Sequence, residues 1–199
     1  MAYHSFRQEG APDKPVVLAF HGTGGDEHQF VDLVRRMLPG AGIVAPRGDV
    51  SEHGANRFFR RTGEGVYDMD DLALRTRAML DFVTQVRADF AGRPLFALGY
   101  SNGANILAAM LFQQPDLFDR AALLHPLIPW VPAPQPGLRD RPVFISAGRN
   151  DPICPLPESL ALIDWFSRQG ARVESRIEAG GHQILPSELN ALHRFLASE

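Results

Sequence analysis

At 199 residues, the chain is the right size for one compact domain, residues 1–199, with a single hydrophobic core. Apolar residues make up 45% of the sequence and charged residues 22%, proportions that are ordinary for a soluble globular protein. The net charge of −3 gives no reason to expect a nucleic acid or an anionic membrane surface as a partner.

Targeting and redox signals are sparse. No stretch approaches the roughly 18 uninterrupted apolar residues of a membrane span, and the opening residues lack the apolar core of a signal peptide. A lone cysteine, Cys154, excludes an internal disulfide framework. We therefore expect a cytoplasmic protein.

Strand-like segments recur along the chain, and most are continuous apolar runs rather than alternating ones. Continuous runs are typical of strands covered on both faces. The strands are predicted at residues 16–20, 42–45, 95–98, 121–124 and 143–146, with a weaker one at 172–177 and an edge strand within 3–8.

Helical patterns lie between these strands. The longest begins at about Asp68, where acidic residues suit the positive end of a helix, and carries apolar residues every three or four positions. Shorter helices are predicted at 27–38, 102–114, 157–169 and 186–197. The alternation of strands and helices predicts an α/β fold, with a mainly parallel sheet of six or seven strands and helices on both faces. Such folds place their sites at the carboxyl ends of the strands.

The central motif is Gly-Tyr-Ser-Asn-Gly at residues 99–103, between a strand pattern and a helix pattern. In this context Gly-x-Ser-x-Gly indicates a nucleophile elbow, a strained turn that exposes a serine hydroxyl at the end of the sheet. The two glycines suit it because they approach neighbouring backbone too closely for a Cβ atom. Ser101 is therefore the candidate nucleophile.

A glycine-rich loop, His-Gly-Thr-Gly-Gly-Asp at residues 21–26, follows the first buried strand. It predicts an oxyanion hole made by the backbone N–H groups of Thr23 and Asn102, the latter at a helix N-terminus. A phosphate-binding loop is disfavoured because neither the P-loop pattern nor Gly-x-Gly-x-x-Gly occurs. A plain structural turn stays open as the alternative.

An acid and a base also follow strands. Asp151 comes after residues 143–146, and His182 comes after the last strand, on loops that contain glycine. The order Ser, Asp, His is that of hydrolases with this architecture. His182 is predicted to move the serine proton, and Asp151 to orient the imidazole and stabilise its charged form.

The other histidines are assigned lesser roles. His125 follows a strand and is interpreted as a pocket wall or a hydrogen-bonded core residue, and His21 as a brace for the glycine-rich loop. Cys154 lacks an elbow and is disfavoured as a nucleophile. No residue set has zinc-ligand spacing, so we expect no metal. The remaining histidines are predicted to lie at the surface: His4, His28, His53 and His193.

Taken together, these motifs resemble a known group. The residues at 21–25, 57–61 (Arg-Phe-Phe-Arg-Arg), 99–105, 151–152 and 181–182 are similar to the bacterial phospholipase/carboxylesterase branch of the α/β-hydrolase superfamily. Within it, the similarity is to small esterases associated with quinone and hydroquinone resistance. The resemblance implies a serine hydrolase for carboxylic esters that needs no cofactor, with Ser101, Asp151 and His182 as its triad.

The connection between Leu124 and Val143 is too short for a helical lid domain, so we expect an open site with a small acyl pocket. Aromatic residues in such loops equally often anchor the loop on the core. For Arg57, Arg60 and Arg61, solvated charge or an ion pair with nearby carboxylates is favoured over substrate binding. The candidate pocket walls are Phe58, Phe59, Tyr67, His125, Leu127, Ile128 and Trp130.

Two functional hypotheses follow. The favoured one is a serine esterase that cleaves short-chain or small aromatic esters, or thioesters, through an acyl-enzyme. The alternative is a non-catalytic protein that binds small molecules. The sequence leaves the choice among esterase, thioesterase, lactonase and peptidase open, and also leaves open a homodimer formed through a sheet edge or the proline-rich connection.

Overall fold

The computed structural model describes residues 3–198, and a seven-stranded sheet runs through them. In chain order the elements are β1 (Ser5–Gln8), β2 (Val16–Phe20), α1 (Val31–Met37), β3 (Gly42–Pro46), β4 (Val50–Glu52), β5 (Ala55–Arg57), β6 (Arg61–Gly63), β7 (Val66–Tyr67), α2 (Met69–Asp89), β8 (Leu95–Tyr100), α3 (Asn102–Gln113), β9 (Arg120–Leu124), a 3-10 turn (Pro136–Leu138), β10 (Pro142–Gly148), α4 (Leu156–Arg168), β11 (Arg172–Glu178) and α5 (Pro186–Ala197).

The strands of the main sheet lie in the order β1-β3-β2-β8-β9-β10-β11. Every neighbouring pair is parallel except β1 with β3, which is antiparallel. The predicted mainly parallel sheet is confirmed, with seven strands in a single compact domain. Because the parallel strands share one direction, the loops that follow them meet at one edge of the sheet.

Helices cover both faces of the sheet, as predicted. In β2, Val16, Leu18 and Phe20 pack into the layer formed with α2, α3 and α4. Val17 and Ala19 point the other way, into the layer formed with α1 and α5. This two-sided burial explains why the central strands are continuously apolar in sequence. The edge strand β11 differs, since most of its side chains are partly or fully exposed.

Helix boundaries follow the sequence signals closely, with one exception. The side chain of Asp68 caps α2 by accepting a hydrogen bond from the backbone N–H of Asp71 at 3.0 Å. Helix α1 was expected from residue 27 but begins at Val31. Asp26 accounts for the delay, because its carboxylate and carbonyl bind the N–H groups of His28 and Gln29 and hold a turn there.

Two small hairpins between β3 and α2 were absent from the predicted elements. β4 pairs with β5, and β6 pairs with β7, each over two or three residues. The β4–β5 turn is formed by His53 and Gly54, which both have positive φ angles (51° and 87°), as expected for a tight hairpin turn. Such short, polar strands carry little apolar patterning that a sequence could reveal.

The connection between β9 and β10 contains only the 3-10 turn, which agrees with the expected absence of a lid domain. Within residues 3–198, no helix combines the length and apolar character needed to cross a lipid bilayer.

Candidate active site

Ser101 lies in a strained turn between β8 and α3. Its φ and ψ angles are 52° and −118°, a region that non-glycine residues rarely adopt. A Cβ atom on Gly99 would lie 2.5 Å from the carbonyl oxygen of Gly103, and one on Gly103 would overlap the carbonyl oxygens of Phe20 and His21. The turn therefore requires glycine two residues before and two residues after the serine.

Three side chains from distant parts of the chain form a hydrogen-bonded row. The Oγ atom of Ser101 lies 3.0 Å from Nε2 of His182, and Nδ1 of His182 lies 2.8 Å from Oδ2 of Asp151. Asp151 follows β10 and His182 follows β11, so the parallel sheet delivers both to the edge that carries the serine. The spacing suits proton transfer from the hydroxyl to the imidazole.

Asp151 is buried and held by backbone as well as side chains. Its Oδ1 atom accepts hydrogen bonds from the N–H groups of Ile153 and Cys154, both at 2.9 Å. Burial alone would raise the pKa of this carboxyl. The hydrogen bonds from Cys154, His125, His182 and Ile153 outweigh burial, so the net pKa is lowered. Asp151 is therefore an ionised acceptor for His182.

Tyr100 holds the loop that carries His182. Its hydroxyl donates to the backbone carbonyl of His182 at 2.8 Å, and the two rings lie 5.2 Å apart at a tilt of 35°. Burial raises the pKa of Tyr100 to about 12, so the phenol keeps the proton that it donates. The residue before the serine, which the motif leaves unspecified, thus helps to position His182.

The glycine-rich loop after β2 lies beside the serine. Within residues 3–198, no acceptor is bound by the backbone N–H groups of Thr23 and Asn102, while their neighbours in the loop are paired. Gly25 donates to the carbonyl of Gly22, and Gly24 donates to the carbonyl of Asn56. Two N–H donors beside the Ser101 hydroxyl can stabilise negative charge on an oxygen atom.

Buried side chains fix the shape of this loop. His21 accepts a hydrogen bond from the N–H of Gly48 at Nε2, and its Nδ1 lies 2.7 Å from the carbonyl of Gly22. Burial lowers the pKa of His21, consistent with a neutral ring protonated at Nδ1. Arg57 donates to Thr23 Oγ1 at 2.8 Å. The brace expected of His21 is present, and Arg57 adds a second.

Arg57 at the end of β5, Arg60, and Arg61 at the start of β6 all pair with carboxylates, which is one of the two states favoured from sequence. Arg61 lies 2.9 Å from Glu52, and Arg57 lies 3.4 Å from the same carboxylate. Arg60 lies 3.2 Å from Asp71. Of these three, Arg61 also lines the cleft at the serine.

A cleft of about 580 Å³ opens at Ser101, and of the predicted pocket walls Leu127 lines it. The structure corrects the assignment of Phe58 and Phe59, which are fully buried in the core under the sheet. Tyr67 instead holds a loop, since its hydroxyl donates to the carbonyl of Leu127 at 2.7 Å. The residues that line the cleft are Thr23, Arg61, Glu64, Gly65, Tyr100, Ser101, Leu127, Pro129, Pro152, Ile153, Pro155, Glu158 and His182.

Ile128 and Trp130 line a neighbouring groove against α4 rather than the cleft. His125 is fully buried, so of its two predicted roles the hydrogen-bonded core residue is correct and the pocket wall is wrong. Its two ring nitrogens face Asp151 and Glu188. Glu188 was missed, although it shares the inward face of α5 with Ala191, Leu192 and Phe195, and a carboxylate on such a face is a signal.

His125, Asp151 and His182 also place potential metal-binding atoms within 4.8 Å of one another. Nδ1 of each histidine already hydrogen-bonds to the same Asp151 oxygen. The three side chains therefore form a hydrogen-bonded chain in which these donors and acceptors are already paired.

Comparison with known proteins gives the family. Residues 11–139 match the family described as Serine aminopeptidase, S33, over more than half of the chain. The chain belongs to the serine aminopeptidase family. MhqD of Bacillus subtilis (strain 168) is 40% identical to this chain over 183 residues, which are 91% of each protein.

Similar solved structures cover nearly all of this serine aminopeptidase family member. The protein Atu2452 of Agrobacterium tumefaciens str. C58 is 49% identical with a TM-score of 0.92, covering 98% of this chain and 96% of its own. A Bacillus cereus carboxylesterase is 36% identical with a TM-score of 0.89, covering 98% and 93%. The resemblance to esterases of the α/β-hydrolase superfamily is confirmed, and the chain is an ester-hydrolysing type of α/β-hydrolase.

Proposed function

We propose that the chain is a serine carboxylesterase that forms an acyl-enzyme on Ser101. The observation that carries the proposal is the continuous row of hydrogen bonds from Ser101 through His182 to Asp151, at the mouth of an open cleft. A protein that only bound a small molecule would have no need of a strained serine paired with a base.

In the proposed reaction, Ser101 Oγ bonds to the ester carbonyl carbon while its proton passes to Nε2 of His182. The carbonyl oxygen becomes negative and accepts hydrogen bonds from the N–H groups of Thr23 and Asn102. The carbon–alkoxy bond then breaks, and His182 gives the proton to the leaving alkoxide. Water, deprotonated by His182, attacks the acyl-enzyme, and the products are a carboxylic acid and free Ser101.

Asp151 has two functions in this scheme. Its hydrogen bond to Nδ1 keeps the other ring nitrogen of His182 free to accept the serine proton, and its negative charge stabilises the imidazolium that forms. Both functions need an ionised carboxylate, in agreement with the lowered pKa of Asp151.

The cleft favours small substrates. Leu127, Pro129 and Ile153 give it apolar walls, and its volume of about 580 Å³ suits a short acyl chain or one aromatic ring together with its leaving group. We therefore propose short-chain or small aromatic esters as substrates, with thioesters as related ones, because both pass through the same tetrahedral intermediate.

The test is hydrolysis of p-nitrophenyl esters of increasing acyl length by the wild type and by Ser101→Ala. We expect kcat to fall at least about a thousandfold in the variant, since a triad serine acts as a unit with its base. Ser167→Ala serves as the matched control, because the hydroxyl of Ser167 only bonds within α4. A fluorophosphonate probe should label the wild type at Ser101. Equal rates in wild type and Ser101→Ala would refute Ser101 as the nucleophile, and a wild type that neither hydrolyses the esters nor is labelled would leave the binding-protein hypothesis.

A further inference from the structure

Behind the proposed triad lies a second buried histidine that the reaction scheme does not use. His125 Nδ1 lies 3.0 Å from Oδ2 of Asp151, the same oxygen that faces His182. On the other side of the ring, His125 Nε2 lies 3.2 Å from Oε2 of Glu188. The side chains of His125, Asp151 and Glu188 are all fully buried. The row of hydrogen bonds therefore continues inward beyond Asp151.

We infer that His125 is a positioning residue, an imidazolium held between two buried carboxylates that fixes and partly neutralises Asp151; as a role in catalysis, this rests on the proposed function. The protons can be counted from the contacts. Both ring nitrogens face carboxylate oxygens, so a neutral ring would leave one nitrogen without a hydrogen to share unless Glu188 carried it.

The contacts of Glu188 favour the proton on His125. Glu188 Oε1 accepts a hydrogen bond from the hydroxyl of Ser146 at 2.5 Å, and Oε2 is approached by the N–H of Leu185 at 3.4 Å. Donors at both oxygens stabilise an ionised carboxylate.

Burial and charge support the same assignment. Two ionised carboxylates without a cation between them would be costly to bury, and the imidazolium reduces their summed charge from −2 to −1. Burial lowers the pKa of His125, but the hydrogen bonds and charges of Glu188 and Asp151 outweigh it and raise the pKa overall. The other ionisable groups that face the ring are Tyr100 at 6.0 Å and His182 at 5.4 Å between ring centres, and Cys154, whose thiol bonds the His125 carbonyl.

The backbone of His125 is held in a way that suits a fixed position. Its φ angle is 48°, a strained value for a residue with a side chain. The N–H of His125 donates to the carbonyl of Ser146 at 3.0 Å, and the carbonyl of His125 accepts from the thiol of Cys154 at 3.2 Å. These bonds join the end of β9 to β10 and to the Asp151 loop, so the ring is held directly behind the carboxylate.

The consequence concerns His182. When His182 takes the serine proton, the cluster changes from a charge of −1 to 0, provided that His125 is already charged. Without the His125 cation, the negative charge felt by His182 is larger and its protonated form is favoured at rest. His182 would then be protonated, and unable to accept the serine proton, over a wider range of acidic pH.

The deciding experiment is NMR of the full chain labelled with ¹⁵N-histidine, which needs no turnover. At pH 8, where exposed histidines are neutral, we expect one ring with both nitrogens protonated, and we expect that signal to be absent from His125→Gln. In Glu188→Gln the same ring should become neutral. Glu178→Gln, a buried carboxylate on β11 bonded to Ser187 and Arg176, is the matched control and should leave the signal unchanged. A neutral His125 ring in the wild type at pH 8 overturns the inference whether or not the chain hydrolyses esters.

The pH profile of kcat/KM distinguishes this role from a merely structural one. In His125→Gln we expect the midpoint of the acidic limb to move to higher pH by roughly one unit, a tenfold loss on that limb. In Glu188→Gln a negative and a positive charge are lost together, the summed charge stays at −1, and the midpoint should move less. A structural role would lower the plateau without moving the midpoint. Where His125→Gln fails to fold, Glu188→Gln decides the matter by NMR: a doubly protonated ring that persists in this variant refutes the inference. Absent esterase activity in a wild type that still shows the charged ring refutes the proposed function alone.

Discussion

Gly148 packs against the backbone carbonyl of Gly181, so closely that a Cβ atom on Gly148 would overlap that oxygen. Gly148 ends β10 and precedes Asp151, while Gly181 directly precedes His182. A further bond joins the two loops, from the N–H of Asn150 to the carbonyl of Gly180 at 3.0 Å. The distance between the carboxylate and the imidazole is therefore set by backbone contact and not by the side chains alone.

Gly148→Ala should separate the two loops. The added methyl meets backbone atoms that cannot rotate away, so we expect kcat to fall about a hundredfold through misplacement of His182 and the free energy of unfolding to fall by about 1–3 kcal/mol. Ester hydrolysis and thermal unfolding measure both effects. The control is Gly63→Ala, where a Cβ atom would come no closer than 3.8 Å to its nearest neighbour. Wild-type kcat in Gly148→Ala would show that the contact does not position the pair.

Arg57→Met should affect catalysis more than folding. The Arg57 side chain is 5% exposed, and its guanidinium donates to Thr23 Oγ1 and to the carbonyl of Phe59. Its removal therefore frees the loop that carries one of the proposed oxyanion donors. We expect kcat to fall by about ten- to a hundredfold, with a loss of about 1–2 kcal/mol in stability. Arg60→Met is the control because Arg60 is 62% exposed, and its partner Asp71 keeps the hydrogen bonds from Arg75 and from the Arg60 backbone N–H. Similar kcat values in the two variants would contradict the bracing role.

The gathering of Ser101, Asp151 and His182 at one edge could be expected from sequence for a physical reason. Continuous apolar runs identify parallel strands, and in a parallel sheet the residues that follow the strands share an edge. The need for glycine in the elbow could also be predicted from the sequence. Only a residue without a Cβ atom can approach the carbonyls of Phe20 and His21 as closely as Gly103 does.

Contacts that depend on the direction in which a side chain points could not be predicted from the sequence. Phe58 and Phe59 lie in an irregular segment between two short hairpins, where no period tells inward from outward positions. The link from His125 to Glu188 joins residues 63 positions apart, and it depends on how α5 packs under the sheet. Local sequence patterns predict the helices and strands and where they end. Which polar side chains contact one another depends on the packing between these elements, which local patterns do not show.

Glu27→Gln tests a charge outside the site. Hydrogen bonds from Arg47 lower the pKa of the buried Glu27 from its ordinary value of 4.5 to about 2, although burial alone would raise it. A lowered pKa stabilises the folded state at pH values above 4.5, and this stabilisation is lost as the pH falls towards 2. We expect Glu27→Gln to melt at a lower temperature than the wild type at pH 7.

The difference in melting temperature should shrink as the pH is lowered from 4.5 towards 2, because the wild type then loses the same ion pair. Calorimetry at several pH values measures it. The exposed Glu9, changed to Gln, gives the control and should follow the wild type throughout. A constant difference across this pH range would show that the charge of Glu27 is not what stabilises the fold.

The outer strand β11 has one side without a partner strand, where backbone groups are available to a foreign strand. Along it, Arg172, Glu174, Arg176 and Glu178 alternate in sign, with three of the four exposed. A second chain that added itself here in a shifted register would set like charges opposite one another and bury charged side chains without partners. The alternating charges on β11 therefore disfavour fibril-like addition of further strands to a sheet whose interior strands are strongly apolar.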